Sequence, residues 1–128
     1  MCENKCTGSC SSCDGCNEKF VLSTDKTVSF VSSFTFSVRN LNEFSELILV
    51  TECKKENDIG KCIVGIGYYA DDILTTDSVP DKYEITNTEL SQQNFKFTPL
   101  KNADRAEITI KCINGATLNV EHINLIKK

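Results

Sequence analysis

Residues 105–113 read RAEITIKCI, and their alternation decides the fold. Ala106, Ile108, Ile110 and Cys112 fall on one side of an extended chain. Arg105, Glu107, Thr109 and Lys111 fall on the other. Successive side chains of a strand point to opposite faces, so a period of two predicts a strand with one buried and one solvated face. Asn114-Gly115 follows at once, and both residues tolerate positive φ, so a hairpin turn is expected there. It leads into ATLNVEHINLI, residues 116–126, where the apolar phase slips between Val120 and Ile123. A β-bulge near Glu121 and His122 would accommodate that slip.

Upstream, the same period recurs. In KCIVGIGYYA, residues 61–70, Gly65 and Gly67 lie opposite Cys62, Val64, Ile66 and Tyr68. ELILVTEC, residues 46–53, is a denser apolar run and reads as a central strand. TVSFVSSFTFSV, residues 27–38, sets Val28, Phe30, Phe34, Phe36 and Val38 against mainly Ser and Thr. Shorter runs cover Phe20–Ser23, Lys82–Thr88 and Asn94–Thr98, and Asn40–Ser45 suits one helical turn. Seven to eight short strands with polar connections and no helical period predict an all-β fold: an antiparallel β-sandwich of jelly-roll type. That body is expected over residues 19–128, behind a flexible cysteine-rich arm over residues 1–18.

Several function classes are excluded or disfavoured. The formal net charge is −4 and the lysines are scattered, so no nucleic-acid groove is expected. No apolar run is long enough for a membrane span, and the first residues lack the apolar stretch of a secretory signal. The acidic segment DDILTTDSVPD, residues 71–81, holds Asp71, Asp72, Asp77 and Asp81 without EF-hand spacing, and reads as a solvated loop. The one histidine, His122, sits in an expected strand without a nucleophile at a telling spacing, and no phosphate-cradling glycine loop occurs. An enzyme is therefore not expected.

Eight cysteines remain, and five of them precede the body: Cys2, Cys6, Cys10, Cys13 and Cys16. The stretch between Cys2 and Cys16 contains no Val, Ile, Leu, Phe or Tyr, so these thiols act outside a hydrophobic interior. Cys6, Cys10 and Cys13 match the C-x3-C-x2-C of radical enzymes that use S-adenosylmethionine, but the chain lacks the length and helices of their barrel. Cys6, Cys10, Cys13 and Cys16 also have spacings suited to thiolate ligation of zinc or an iron–sulfur cluster. Alternatively, an arm with interspersed Gly and Ser can reach a partner and lock there by disulfides. Within the body, Cys53 and Cys62 bracket the loop KKENDIGK and would face each other if that loop closes a hairpin. Cys112, on the apolar side of its strand, reads equally as a small buried residue.

A short cysteine-rich arm ahead of a jelly roll, without a signal peptide, resembles the endospore appendage subunits of Gram-positive bacteria, the Ena type. That resemblance implies a structural subunit of a self-assembling extracellular or spore-surface filament. Its partner would be its own copies, held by strand contacts and by intersubunit disulfides. Cys2, Cys6, Cys10, Cys13 and Cys16 would be the arm thiols, and Cys112 or the Cys53/Cys62 pair their receivers. No cofactor is implied.

A second resemblance covers more of the chain. YEITNTELSQQNFKFTP, AEITIKC and LNVEHINLIKK together resemble the closing half of jelly-roll carbohydrate-binding modules. This implies an alternative function: a non-catalytic binding module for a glycan or a protein, with Cys6, Cys10, Cys13 and Cys16 as a zinc or iron–sulfur knot. Such modules stack sugars on aromatics. The chain has no Trp, so Tyr68, Tyr69 and Tyr83 are the candidates, with Tyr68 in the core phase.

Overall fold

The computed structural model of the chain describes residues 15–16, 20–25, 30–31 and 33–128. Its strands are β1 (Gly15–Cys16), β2 (Phe20–Asp25), β3 (Phe30–Val31), β4 (Ser33–Arg39), β5 (Leu47–Lys55) and β6 (Lys61–Ala70). They continue with β7 (Ile73–Leu74), β8 (Val79–Ile85), β9 (Ser91–Phe97), β10 (Arg105–Ile113) and β11 (Thr117–Lys127). A single 3-10 turn at Leu41–Glu43 fills the expected helical position.

Two antiparallel sheets pack face to face as a jelly-roll sandwich. One runs β3-β2-β11-β5-β9, with β1 also paired to β11. The other runs β4-β10-β6-β7, with β8 also paired to β6. Alternation along the strands supplies the core between them. Phe34, Phe36 and Val38 of β4, Ile108 and Ile110 of β10, and Val64 and Ile66 of β6 face Leu47 and Leu49 of β5 and Leu118, Val120, Ile123 and Leu125 of β11. Each fully buried side chain of this kind contributes about 1.5–3 kcal/mol relative to exposure. The bulge falls where the phase slip placed it, between Val120 and His122. Thr51, the one buried polar residue among those described, donates its hydroxyl to the His122 carbonyl there at 2.9 Å.

Three connections differ from expectation. Asn114 (φ 56°) and Gly115 (φ 88°) do form a tight turn, closed by the Ala116 amide on the Ile113 carbonyl. It is not a hairpin, because β10 and β11 belong to opposite sheets. The same holds for Lys54–Lys61: β5 and β6 lie in different sheets, so Cys53 and Cys62 are not hairpin partners. Residues 27–38 likewise divide, with β3 on β2 and β4 on β10. Positive-φ residues and apolar phase are local signals, whereas the choice of sheet is made by the far sides of both strands.

The two inter-sheet loops interlock at one corner. Asn57 donates to the Gly115 carbonyl and accepts from the Thr117 amide. Gly60 has φ 64°, and a Cβ there would sit 2.2 Å from the Ile113 carbonyl oxygen. Only glycine fits that approach.

Candidate functional site

The outer face of the β4-β10-β6-β7 sheet carries the polar half of the β10 alternation. Register fixes its rows. Across β4, β10 and β6, Ser37 lies beside Glu107 and Gly67, Thr35 beside Thr109 and Gly65, and Ser33 beside Lys111 and Ile63. The next row is Arg39, Arg105 and Tyr69, with Leu74 of β7 beyond. Gly67 presents no side chain and the Pro80 backbone of β8 packs against Gly65, and beside them a groove of about 190 Å³ opens along β6. Glu107, Thr109 and Lys111 form one bank, and Tyr69, Leu74, Ser78 and Pro80 the other.

The acidic segment turns out to be built into this site. Asp71 (φ 53°) and Asp72 (φ 64°) make a two-residue turn that folds β7 back on β6, a hairpin where a solvated loop is expected. Left-handed backbone at both positions is the signature of a type I′ turn, here with two aspartates in place of the usual Asn-Gly. The turn delivers the Asp72 carboxylate to Arg105, at 2.8 Å. Arg105 also donates through Nε to Glu107 at 3.1 Å, and its guanidinium carbon lies 4.2 Å from the Tyr69 ring centre. Held first by the Asp72 hydrogen bond and then by Glu107, the guanidinium is pushed further above its ordinary range, so its charge is permanent. One cation thereby orients an aromatic and two carboxylates at the groove's end. Thr35 and Thr109 hydroxyls share a hydrogen bond of 3.0 Å across the neighbouring row.

The tyrosines separate by role. Tyr69 borders the groove. Tyr68 is a core residue whose hydroxyl donates to the Thr98 carbonyl, and burial raises its pKa. Tyr83 packs on Phe95 and Phe97 and donates to the Lys96 carbonyl. Of the three, only Tyr69 is placed to meet a ligand in this groove. Outward glycines on β6 were visible in the sequence, but their apposition to Glu107 and Thr109 needed the register of β10.

Of the cysteines, Cys2, Cys6, Cys10 and Cys13 lie outside the described residues. Cys16 pairs through its backbone with Ile123. Cys53, Cys62 and Cys112 have no exposed surface, so none of them is presented to a partner on the outside of the fold. Cys62 and Cys112 are directly opposed across β6 and β10, and their sulfurs are 3.6 Å apart. Among the described residues no cluster of three or more His, Cys, Asp or Glu could hold a metal ion, and no helix is long and apolar enough to cross a membrane. His122 stands at the bulge of β11, in the sheet that does not carry the groove.

Neither a family model nor a curated protein matches the sequence. Solved structures do match the fold. The enzymatically active domain of bacteriophage CBA120 tailspike protein 4 superposes with a TM-score of 0.58 at 18% identity over 86% of this chain. The chain spans only 15% of that tailspike's length. A Family 16 Carbohydrate Binding Module-2 superposes with a TM-score of 0.58 at 19% identity, covering 84% of this chain and 75% of the module. At such identities the likeness is one of backbone architecture, and it places the chain among antiparallel jelly-roll sandwiches.

Proposed function

We propose that the chain is a non-catalytic binding module that holds a glycan in the groove on the outer face of β10 and β6. The observation that carries this reading is the groove itself: a cleft along the glycines of β6, between the polar bank of Glu107 and Thr109 and a bank bearing Tyr69. Sugars present hydroxyl edges and apolar ring faces, and a site for them combines placed hydrogen-bonding groups with an apolar surface. Glu107 and Thr109 supply the first, and Tyr69 and Leu74 the second. The fold shared with a module named for carbohydrate binding supports the same reading. Electrophoresis through gels containing soluble polysaccharides tests it. Retardation by at least one polysaccharide is expected, lost in Glu107→Ala and Tyr69→Ala. A folded protein that no polysaccharide retards would sink the proposal.

A filament subunit is the second reading, and the cysteine-rich residues 1–18 favour it as a separate arm. With Cys53, Cys62 and Cys112 enclosed, its covalent links would run from arm to arm through Cys2, Cys6, Cys10, Cys13 and Cys16. An extracellular or spore-surface location belongs to that reading. Non-reducing electrophoresis after air oxidation distinguishes the two: a ladder that collapses with reductant supports assembly, and a lone monomer band removes it.

A further inference from the structure

We propose that Cys62 and Cys112 form a disulfide that ties β6 to β10 directly behind the groove. Their residues are partners in the antiparallel register. Directly opposed residues have Cα atoms roughly 4.5–5.5 Å apart, inside the 4.4–6.8 Å that a disulfide spans. The sulfurs already lie 3.6 Å from each other. Closing the remaining gap takes a rotation of the two side chains and no movement of a strand. Cys53 shares the core but not this geometry: it stands in the opposite sheet, paired with Val120 and Ser91.

The chemistry is a thiol–disulfide exchange with a small disulfide such as glutathione disulfide. Cys62 attacks first as its thiolate, and the exchange balances identically if Cys112 does. Cys62 displaces one glutathione thiolate and leaves a mixed disulfide. Cys112 then attacks the Cys62 sulfur and displaces the second. Two protons and two electrons pass from the protein dithiol to glutathione, which leaves as two thiols. The exchange takes place while the chain folds, before the sandwich encloses both sulfurs. Once closed, the bond is shielded from thiolate reductants, because both residues have no exposed surface.

The bond would sit on the inner side of the strands whose outer side carries Gly65, Gly67, Glu107 and Thr109. It would fix their spacing whether or not a glycan is the ligand.

Trypsin separates the three body cysteines, because cleavage after Arg39, Lys54, Lys61, Lys82, Lys111 and Lys127 leaves Cys62 in peptide 62–82, Cys112 in 112–127 and Cys53 in 40–54. The full chain is refolded in a glutathione redox buffer, alkylated in denaturant, digested and weighed. A linked 62–82/112–127 species is expected, two hydrogens lighter than the sum of its peptides, with Cys53 recovered alkylated. The linked species should also survive incubation of the native protein with reduced glutathione. Recovery of Cys62 and Cys112 as alkylated thiols, or joined to arm cysteines or to Cys53, overturns the proposal. Protein that is isolated folded is exposed in parallel to the same buffer at denaturant concentrations near its unfolding midpoint, where both sulfurs open to exchange, and then mapped, so a failure to refold leaves the answer intact.

Discussion

Arg105 lies over the Tyr69 ring at 4.2 Å while pairing with Asp72 at 2.8 Å, so a residue of β10 and a turn beyond β6 are fastened to the same aromatic. On the proposed function, the arrangement holds the end of the groove in shape for a ligand. Arg105→Ala should therefore weaken polysaccharide retention by tenfold or more, about 1.4 kcal/mol of binding free energy. Asp72 is exposed and Arg105 and Glu107 are half-buried at the surface, where ion pairs add little to folding. Titration calorimetry and thermal melting on the same variant check the pair of outcomes. A large fall in melting temperature with unchanged affinity would contradict this role.

The two outward glycines of β6 should fail differently. A Cβ on Gly65 would lie 2.1 Å from the Pro80 carbonyl oxygen, which is backbone and cannot yield cheaply. Gly65→Ala is expected to cost about 1–3 kcal/mol in denaturant unfolding, as overpacking does. At Gly67 the nearest atoms are Leu74 Cδ1 at 3.2 Å and the Tyr69 ring at 3.3 Å, both able to shift. Gly67→Ala should leave stability nearly unchanged yet reduce glycan affinity by filling the groove. Equal stability losses in the two variants would refute the distinction.

At the bulge, Thr51 is buried and its hydroxyl reaches the His122 carbonyl at 2.9 Å. Thr51→Val keeps the shape and removes the donor. Leaving a buried acceptor short of a partner costs about 1–3 kcal/mol, and urea denaturation should show that loss. A neutral substitution would mean that the bulge carbonyl finds another donor.

Stability at alkaline pH should depend on Cys53. Burial pushes its thiol from the ordinary 9.0 up to about 11, with the Thr51 hydrogen bond acting in the opposite direction. The folded state therefore holds this proton more tightly than the unfolded chain. The resulting stabilisation is complete below pH 9 and is lost as pH rises towards 11. Its full size is about 3 kcal/mol, at 1.36 kcal/mol per pKa unit. Under reductant, the wild type should lose stability between pH 8 and pH 10.5 more steeply than Cys53→Ala, although the variant starts lower. Parallel pH profiles would exclude this linkage.

Much of the fold could be read in the chain because alternation is a local property. Arg105–Ile113 and Lys61–Ala70 coincide with β10 and β6, and the slip at Val120 gives the bulge. Sheet membership was not legible. The serine at position 32 occupies the apolar phase of TVSFVSSFTFSV, and that one break marks where β3 and β4 part to different sheets. The hairpin at Asp71-Asp72 escaped because aspartates read as solvated charge, whereas here they take positive φ and one of them pairs with Arg105. Likewise Tyr69 was a candidate among three tyrosines, but its neighbours Arg105 and Glu107 come from a strand more than thirty residues away. Their meeting depends on register between β6 and β10, which no local pattern encodes.

The order of strands has a consequence for how the chain is made. β10 sits between β4 and β6, and β11 between β2 and β5, so each sheet is centred on a strand from residues 105–127. A nascent chain emerging from the ribosome lacks both centres until those residues have been synthesised. The connections from β3 to β4, β4 to β5, β5 to β6 and β8 to β9 cross between the sheets, so before residue 105 only the β2–β3, β5–β9 and β6–β7–β8 pairings can form. Folding is therefore a late and concerted event. Until then the apolar faces of β4, β5 and β6 lack their central partners, and uncovered surface of that kind favours aggregation.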